Sequence, residues 1–251
     1  MPHFSFSAPL RFTFFSIFVY STFVNNRHKI LLLLFCQLAV FLRSQDIHFS
    51  QYNGSLLNIS PAFTGFFDGD YRVGAIFRSQ WYTVPVKYNT FSMHGETRLQ
   101  PRQLEKDHIG LGFVFNSDRA GDTRYGTTQL YGSGNYMFMA KADSSLILTL
   151  GLNMGWGQVG FDYSRMTFEN QFDGYAYNRA LSAGEQFSWM QRNFFDMTIG
   201  SGIRYYLNRK PLFTYGVGFH HVTSPRISYQ GNDVSRLDYR LSNYLAYSTP
   251  V

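Results

Sequence analysis

The feature that most constrains the fold is a strict two-residue alternation of apolar with polar or small side chains. The clearest run is LILTLGLNMGWG (residues 146–157), in which every second residue is leucine, methionine or tryptophan. Successive side chains of a β-strand point to opposite faces, so this period predicts strands with one apolar face. The same pattern predicts further strands at residues 71–81, 91–99, 109–116, 124–140, 192–206, 212–222 and 240–249.

The composition favours a membrane location for these strands. The chain of 251 residues is 19% aromatic and only 15% charged, whereas soluble domains carry about 25% charged residues. A soluble antiparallel barrel or sandwich is the alternative, but its outer face would have few charges to keep it in solution. Aromatic residues near predicted strand ends, such as Trp81 and Tyr205, are typical of membrane-interface girdles. We therefore predict an all-β fold, an antiparallel transmembrane β-barrel of the outer membrane.

The N-terminus has the pattern of an export signal. The apolar run at residues 30–42 is shorter than the roughly 20 residues that a transmembrane helix needs. It follows the basic Arg27 and Lys29 and precedes a small residue, which predicts a signal peptide cleaved near Ser44 or Gln45. A retained signal anchor is the alternative. The single cysteine lies within this run, so the exported chain would have no disulfide or thiolate chemistry.

The basic character of the chain belongs to the same N-terminal region. Four of the 22 Lys and Arg residues and none of the 16 Asp and Glu residues lie in residues 1–44. The rest of the chain has 18 basic and 16 acidic side chains, a formal charge of +2. Its basic residues are scattered, and nucleic-acid binding requires a basic cluster. We therefore predict no nucleic-acid partner.

Three regions are predicted. Residues 1–44 form the N-terminal extension and signal peptide, and residues 71–251 form the barrel domain with about eight strands. Residues 45–70 are polar and contain the turn residues Pro61 and Gly65, and we expect them in the periplasm or in the mouth of the lumen. Because the sequence stops within a strand pattern, we also expect the natural protein to continue beyond Val251.

The predicted connections differ in length between the two ends of the strands. Those after the second, fourth and sixth strands are short, whereas residues 162–187 and 223–239 form long connections after the fifth and seventh. Outer-membrane barrels have short periplasmic turns and longer outer loops. The long connections are thus predicted to face outward, and residues 162–187 are the best candidate for a binding loop.

Several ionisable residues share the polar face of the predicted strands. They could line a pore, bind a plug, or pair with one another to fill a narrow barrel, whose interior is polar in each case. The predicted lumen charges are Arg72, Arg78, His94, Glu96, Arg98, Asp196 and Arg204.

No arrangement of residues predicts catalysis. Ser133 and Ser201 have neighbouring glycines but do not match the nucleophile-elbow pattern. His220 and His221 are adjacent on a predicted strand, so they should point to opposite faces and could not hold a metal together. We expect no catalytic residue, no metal and no cofactor.

Several segments resemble the PorP/SprF family, the type IX secretion outer-membrane proteins of gliding and secreting Bacteroidota. The resemblance covers roughly residues 45–251 and begins with QDIHFSQYNGSLLNISPAFTG, followed by DYRVGAIFRSQW and YNTFSMHGETRL, and later by GFHHVTSPRISY. Gly54 and Phe63 depart from the usual pattern. The positions that carry the family signature are Gln45, Asp46, Phe49, Ser50, Gln51, Tyr52, Asn58, Pro61, Ala62 and Gly65.

The resemblance implies a non-enzymatic accessory barrel that assists the export or surface attachment of specific cargo proteins, gliding adhesins among them. Its implied partners are outer-membrane lipid, other type IX secretion components and the C-terminal sorting domain of a cargo protein. The alternative function is a passive porin or small-solute transporter of the outer membrane.

Overall fold

The computed structural model describes residues 47, 49, 51–81, 83, 86–140, 145–185, 187–207, 210–229 and 235–248, with backbone alone for residues 210–212. The predicted signal peptide, its cleavage site and the signature residues Gln45, Asp46 and Ser50 lie outside the described residues.

Eight strands dominate the described part of the chain. They are β1 (Tyr71–Gln80), β2 (Tyr88–Leu99), β3 (His108–Ala120), β4 (Tyr125–Met139), β5 (Leu146–Gly160), β6 (Gln191–Leu207), β7 (Lys210–His220) and β8 (Arg240–Tyr247). Five short 3-10 helices occur outside the strands, at Tyr52–Asn58, Pro61–Phe63, Arg102–Leu104, Tyr163–Arg165 and Glu169–Gln171. Within the described residues, no helix combines the length and the apolar character needed to cross a membrane.

The strands form one antiparallel sheet in sequence order, each hydrogen-bonded to its neighbour along the chain. The sheet curls into a half-barrel with one concave and one convex face. Among the described residues, β1 pairs only with β2 and β8 only with β7. The all-β antiparallel fold predicted from the alternation is confirmed.

The convex face carries an apolar band with a row of mostly aromatic side chains at one edge. Trp156 lies opposite Leu130 on one side and Phe195 on the other, and Phe77 lies opposite Phe91. Phe115 lies opposite Leu130, and its ring centre is 6.3 Å from that of Phe91, although the register partner of Phe91 on β3 is Ser117. We call this edge the aromatic row; its members are Phe77, Phe91, Phe115, Leu130, Trp156 and Phe195. Two residues further along each strand lies a polar row, which consists of Ser79, Asn89, Ser117, Thr128, Gln158 and Asn193.

The other edge of the band is also aromatic. Leu146 pairs with Tyr205, which pairs with Phe213, which pairs with Tyr247. Leu146 and Trp156 are ten positions apart on β5. At a rise of about 3.3 Å per residue and a tilt of about 45°, that is about 23 Å of height, near the 25 Å apolar band of outer-membrane barrels.

The two ends of the sheet differ in their connections. Residues 161–190 after β5 and 221–239 after β7 are long and lie at one end, which we call the long-loop end. The connections after β2, β4 and β6 lie at the opposite, short-turn end. The connections after β5 and β7 are the long ones at that end, whereas those after β1 and β3 are short, at residues 81–87 and 121–124.

Candidate functional site

The concave face of the sheet is occupied by the chain's own N-terminal segment. Residues 51–67, which we call the inner segment, contain the first two 3-10 helices and pack on strands from β1 to β8. Pro61 begins the second helix, and the Ser60 hydroxyl accepts a hydrogen bond from the Ala62 N–H (3.2 Å). Leu57, Ala62 and Phe63 are at most 1% exposed. The candidate site is thus a concave surface that is already filled.

Glycines on the strands allow the inner segment to lie against the sheet. A Cβ at Gly151 of β5 would overlap the carbonyl carbon of Pro61, and a Cβ at Gly218 of β7 would overlap the carbonyl oxygen of Ile59. The same holds for Gly110 of β3, whose Cβ would overlap the backbone of Thr64. Glycine is the residue that permits such close approach of two backbones. The backbone of the inner segment therefore lies directly against these three glycines.

Polar side chains on the strands satisfy the backbone of the inner segment. Asn135 of β4 donates hydrogen bonds to the carbonyl oxygens of Ala62 (2.8 Å) and Thr64 (2.9 Å). The hydroxyls of Thr64 and Ser133 are also hydrogen-bonded to each other. A buried backbone without such partners would lose free energy, so these contacts are needed to hold irregular chain inside the sheet.

Asn58 and Ser60 make the corresponding contacts nearer the long-loop end. Asn116 of β3 donates to the Asn58 side-chain oxygen (2.8 Å), and the Asn58 amide donates to the Ser92 hydroxyl (2.9 Å). The Ser60 hydroxyl donates to the carbonyl oxygen of Val217 (2.8 Å). The inner segment is therefore fixed by side chains from β2 and β3 and by a backbone carbonyl of β7, in addition to the side chain of Asn135 on β4.

Charged residues bind the inner segment at the short-turn end. Glu96, whose side chain is fully buried, accepts hydrogen bonds from the Arg72 Nε (2.7 Å) and from the backbone N–H of Gly65 (2.7 Å). The Arg204 guanidinium lies 3.5 Å from the centre of the Phe66 ring and donates to the Phe66 carbonyl (3.4 Å). Each contact joins a charged side chain of the sheet to the inner segment.

A second buried network links β6 to the end of β7. Asp196, 0% exposed, lies with its Oδ2 2.7 Å from Nδ1 of His221 and accepts a hydrogen bond from the Tyr131 hydroxyl (2.8 Å). His220 lies with Nε2 3.0 Å from the carbonyl oxygen of Ile59 in the inner segment. Arg240 of β8 donates to the Asn58 carbonyl (2.9 Å).

The prediction that His220 and His221 point to opposite faces was wrong. Both side chains are buried, with ring centres 6.2 Å apart. The strand ends at His220, and His221 has a positive φ of 59°, which turns its side chain inward. Among the described residues, no group of three or more His, Cys, Asp and Glu side chains is placed to hold a metal ion.

A cavity of about 620 Å³ lies on the concave side near the long-loop end. Its walls include Arg78, Tyr88 and Asp118, and Ile227 and Leu237 reach it from the connection after β7. Asp118 accepts hydrogen bonds from the hydroxyls of Tyr88 and Thr90. The concave face is thus filled at the inner segment and leaves space beside the long loops.

The long loops pack on each other through aromatic rings. Phe161 lies 5.1 Å from Phe187 and 4.8 Å from Tyr229, measured between ring centres, and this places residues of both long loops in one cluster. Burial raises the pKa of the Tyr229 hydroxyl far above its usual value. Beyond the cluster, Phe172 and Tyr177 form an isolated β-bridge, and Tyr175 at its turn is 97% exposed. We call residues 172–181 the loop tip.

A family model described as the type IX secretion system membrane protein PorP/SprF matches residues 42–250. The chain belongs to the PorP/SprF family. It is therefore a membrane component of type IX secretion, and the resemblance found in the sequence is confirmed. Searches among curated proteins and among solved structures found no match.

In this PorP/SprF chain, the signature residues that the structure describes lie in or next to the inner segment. Asn58 and Gly65 make the polar contacts given above, Pro61 and Ala62 are buried, and Phe49 is 8% exposed. Gln51 and Tyr52 are exposed. No role was predicted for these positions from the sequence.

The predicted lumen charges of the PorP/SprF chain all lie at positions of the concave face. His94, Glu96 and Asp196 are buried, and the remaining four, Arg72, Arg78, Arg98 and Arg204, are partly buried. They do not form one cluster, because Glu96 and Arg204 contact one end of the inner segment while Asp196 contacts His221 near the other. Ser133 lies beneath the inner segment, whereas Ser201 is exposed on the convex face.

Proposed function

We propose that this protein is a non-enzymatic, outer-membrane accessory barrel of type IX secretion that assists the export or surface attachment of specific cargo proteins. The family match over residues 42–250 is the observation that carries the proposal. The apolar band with aromatic edges supports a place in a bilayer. The predicted signal peptide and the orientation of the long loops favour the outer membrane.

The filled concave face favours a binding role over a passive porin. A porin needs a water-filled channel along the strands. Here the inner segment lies across that path, with Ala62 and Phe63 almost fully buried. Asn135 and Glu96 hold it by hydrogen bonds to its backbone. Conductance in planar lipid bilayers would distinguish the two functions, and we expect no stable open channel.

The loop tip is the proposed contact for a cargo's C-terminal sorting domain. Phe172 and Tyr175 are 57% and 97% exposed, and aromatic residues of this kind are enriched at protein interfaces. The aromatic cluster around Phe161 gives the tip a rigid base. Rigid scaffolds with exposed loops are the usual arrangement for recognition. Gliding adhesins are among the cargo proteins that this role would include.

The proposal is tested by comparing secreted and surface proteomes of a deletion strain with those of the wild type. We expect the loss of one or a few large proteins that share a C-terminal domain. Complementation with Phe172→Ala/Tyr175→Ala should fail to restore them, while Glu185→Ala, an exposed change on the same loop, should restore them. An unchanged secretome with altered uptake of a small solute would refute the proposal and support the porin.

A further inference from the structure

A polar groove of about 730 Å³ lies outside the half-barrel, between the convex face of β3–β5 and the start of the long loop after β5. Its lining includes the outward-facing residues Arg119, Thr128, Gln158 and Gln191. The proposed cargo contact and the concave site use none of these residues. The groove adjoins the concave cavity through Asp118 and Gly126 and adjoins the aromatic cluster through Phe161, but its outward-facing polar residues belong to neither.

The groove lies just beyond the apolar band. Gln158 belongs to the polar row, two positions past Trp156, and Gly160 is two positions further. At a rise of about 3.3 Å per residue, Gly160 is roughly 13 Å along the strand from the aromatic row. Membrane-interface aromatics mark the level of lipid headgroups, so the groove opens at headgroup height or directly above it.

Paired glycines form the floor of the groove. Gly126 of β4 and Gly160 of β5 lie directly opposite each other in the strand register, and both line the groove. The side chains of Arg119 and Gln191 pack beside these glycines, since an added Cβ would lie 3.2 Å from the Arg119 Cγ at Gly126 and 2.9 Å from the Gln191 Cγ at Gly160. On one side stands the loop residue Tyr163, and on the other the turn after β3.

Two arginines give the groove a positive side. Arg119 and Arg124 both line it and both are exposed. Among the residues that the structure describes, neither guanidinium has a hydrogen-bond or ion-pair partner. Two carboxylates also line the groove. That of Asp162 is held by Ser164 and by the Arg165 Nε (3.2 Å), and that of Asp118 accepts hydrogen bonds from the hydroxyls of Tyr88 and Thr90. Guanidinium groups bind phosphate with paired hydrogen bonds.

We propose that this groove binds the phosphorylated headgroup of an outer-leaflet lipid, with Arg119 and Arg124 contacting its phosphates. The acyl chains of such a lipid would lie along the apolar band below Trp156. This inference rests on the membrane placement proposed above, but not on the cargo role. A lipid is the expected occupant because the groove faces the bilayer side of the sheet and sits at the edge of its apolar band.

The test uses the full mature chain, delipidated in detergent and examined by native mass spectrometry. The probes are lipid A with two phosphates and the same lipid after enzymatic removal of both phosphates. We expect the wild type to retain the phosphorylated form about tenfold better, because the arginines recognise phosphate. Arg119→Gln/Arg124→Gln should remove most of this preference. Arg102→Gln, an exposed arginine at the short-turn end, is the matched control and should keep it.

Equal binding of the two lipid forms, or full binding by the double variant, would overturn the proposal. Displacement of the lipid by inorganic phosphate at equal concentration would also overturn it, since the site would then bind free anions. If the double variant does not fold, as judged by heat-modifiable migration, each single variant carries the comparison. If the wild type retains the phosphorylated lipid as expected but the deletion strain has an unchanged secretome, the cargo role is refuted and the lipid site is not.

Discussion

The carboxylate of Glu96 accepts a hydrogen bond from the backbone N–H of Gly65 at 2.7 Å, and this contact joins strand β2 of the half-barrel to the inner segment. Glu96 is fully buried and its other oxygen is bound by Arg72. Gly65 has a positive φ of 72°, a conformation that favours glycine. The hydrogen bond therefore depends on the Glu96 carboxylate as acceptor and on a glycine at the turn that presents the N–H donor.

Replacing Glu96 should therefore destabilise the protein more than replacing an exposed acid. We expect Glu96→Ala to lower the free energy of unfolding by about 3 kcal/mol, because it leaves a buried N–H and part of the Arg72 charge without a partner. Glu96→Gln keeps an acceptor and should cost less. Urea unfolding in lipid vesicles measures both, with Glu105→Ala in an exposed turn as control. Equal midpoints for Glu96→Ala and Glu105→Ala would contradict the proposed importance of the contact.

The close contact between the strand glycines and the inner segment predicts a substitution that should displace the segment. Gly151→Ala places a Cβ only 2.3 Å from the Pro61 carbonyl carbon, so the segment must move away. Gly134→Ala is the matched control, because a Cβ at Gly134 meets nothing within 4 Å. With Ala62→Cys as a reporter at a position that is 0% exposed, maleimide should label the Gly151→Ala protein and not the Gly134→Ala protein. Equal labelling of the two would show that the glycine is not required for the fit.

The pair formed by Asp196 and His221 should be important for stability at the long-loop end. Asp196→Ala removes the partner of His221 and of the Tyr131 hydroxyl, and we expect a loss of about 3 kcal/mol. Tyr131→Phe removes one hydrogen bond and should cost about 1 kcal/mol. A double-mutant cycle of Asp196→Ala with His221→Ala measures their coupling. Additive effects would mean that the two side chains do not stabilise each other.

The start of the long loop after β5 should respond to acid. A hydrogen bond from the Ser164 hydroxyl (2.6 Å), with a second from its backbone N–H, holds the pKa of Asp162 below its usual value. A lowered pKa in the folded state contributes stability above the unfolded pKa, and that contribution is lost as the pH falls below about 4. Carboxyl ¹³C titration in micelles should give a higher midpoint for Ser164→Ala than for the wild type. Identical midpoints would contradict the assigned cause.

Most strands of the sheet, and the face on which their residues lie, could be predicted from the alternation, because a residue's face follows from its position on a strand. The β5 run and the observed strand Leu146–Gly160 agree, and Glu96 and Asp196 lie on the concave face of β2 and β6. The rule failed at His221, since it assumes extended backbone and the strand ends one residue earlier.

The position of the inner segment within the half-barrel could not be predicted in the same way. The glycines at positions 110, 151 and 218 are small residues on a polar face, and nothing local distinguishes them from other small residues. Their role becomes visible only when residues 51–67 lie against them. That contact joins residues far apart in sequence, such as Asn58 and Arg240. Local pattern carries no information about such pairs.

The reach of Arg240 also bears on how quickly the molecule can form. It donates hydrogen bonds to Ile47 (3.1 Å) and Asn58 (2.9 Å), near the opposite end of the described chain. Neighbouring strands can pair as successive hairpins, but these contacts close a very long loop, and long-range closure slows folding. The first residues of the domain would therefore be fixed last, after β8 is in place. Refolding should show rapid gain of sheet followed by a slower phase in which the interior becomes protected from solvent.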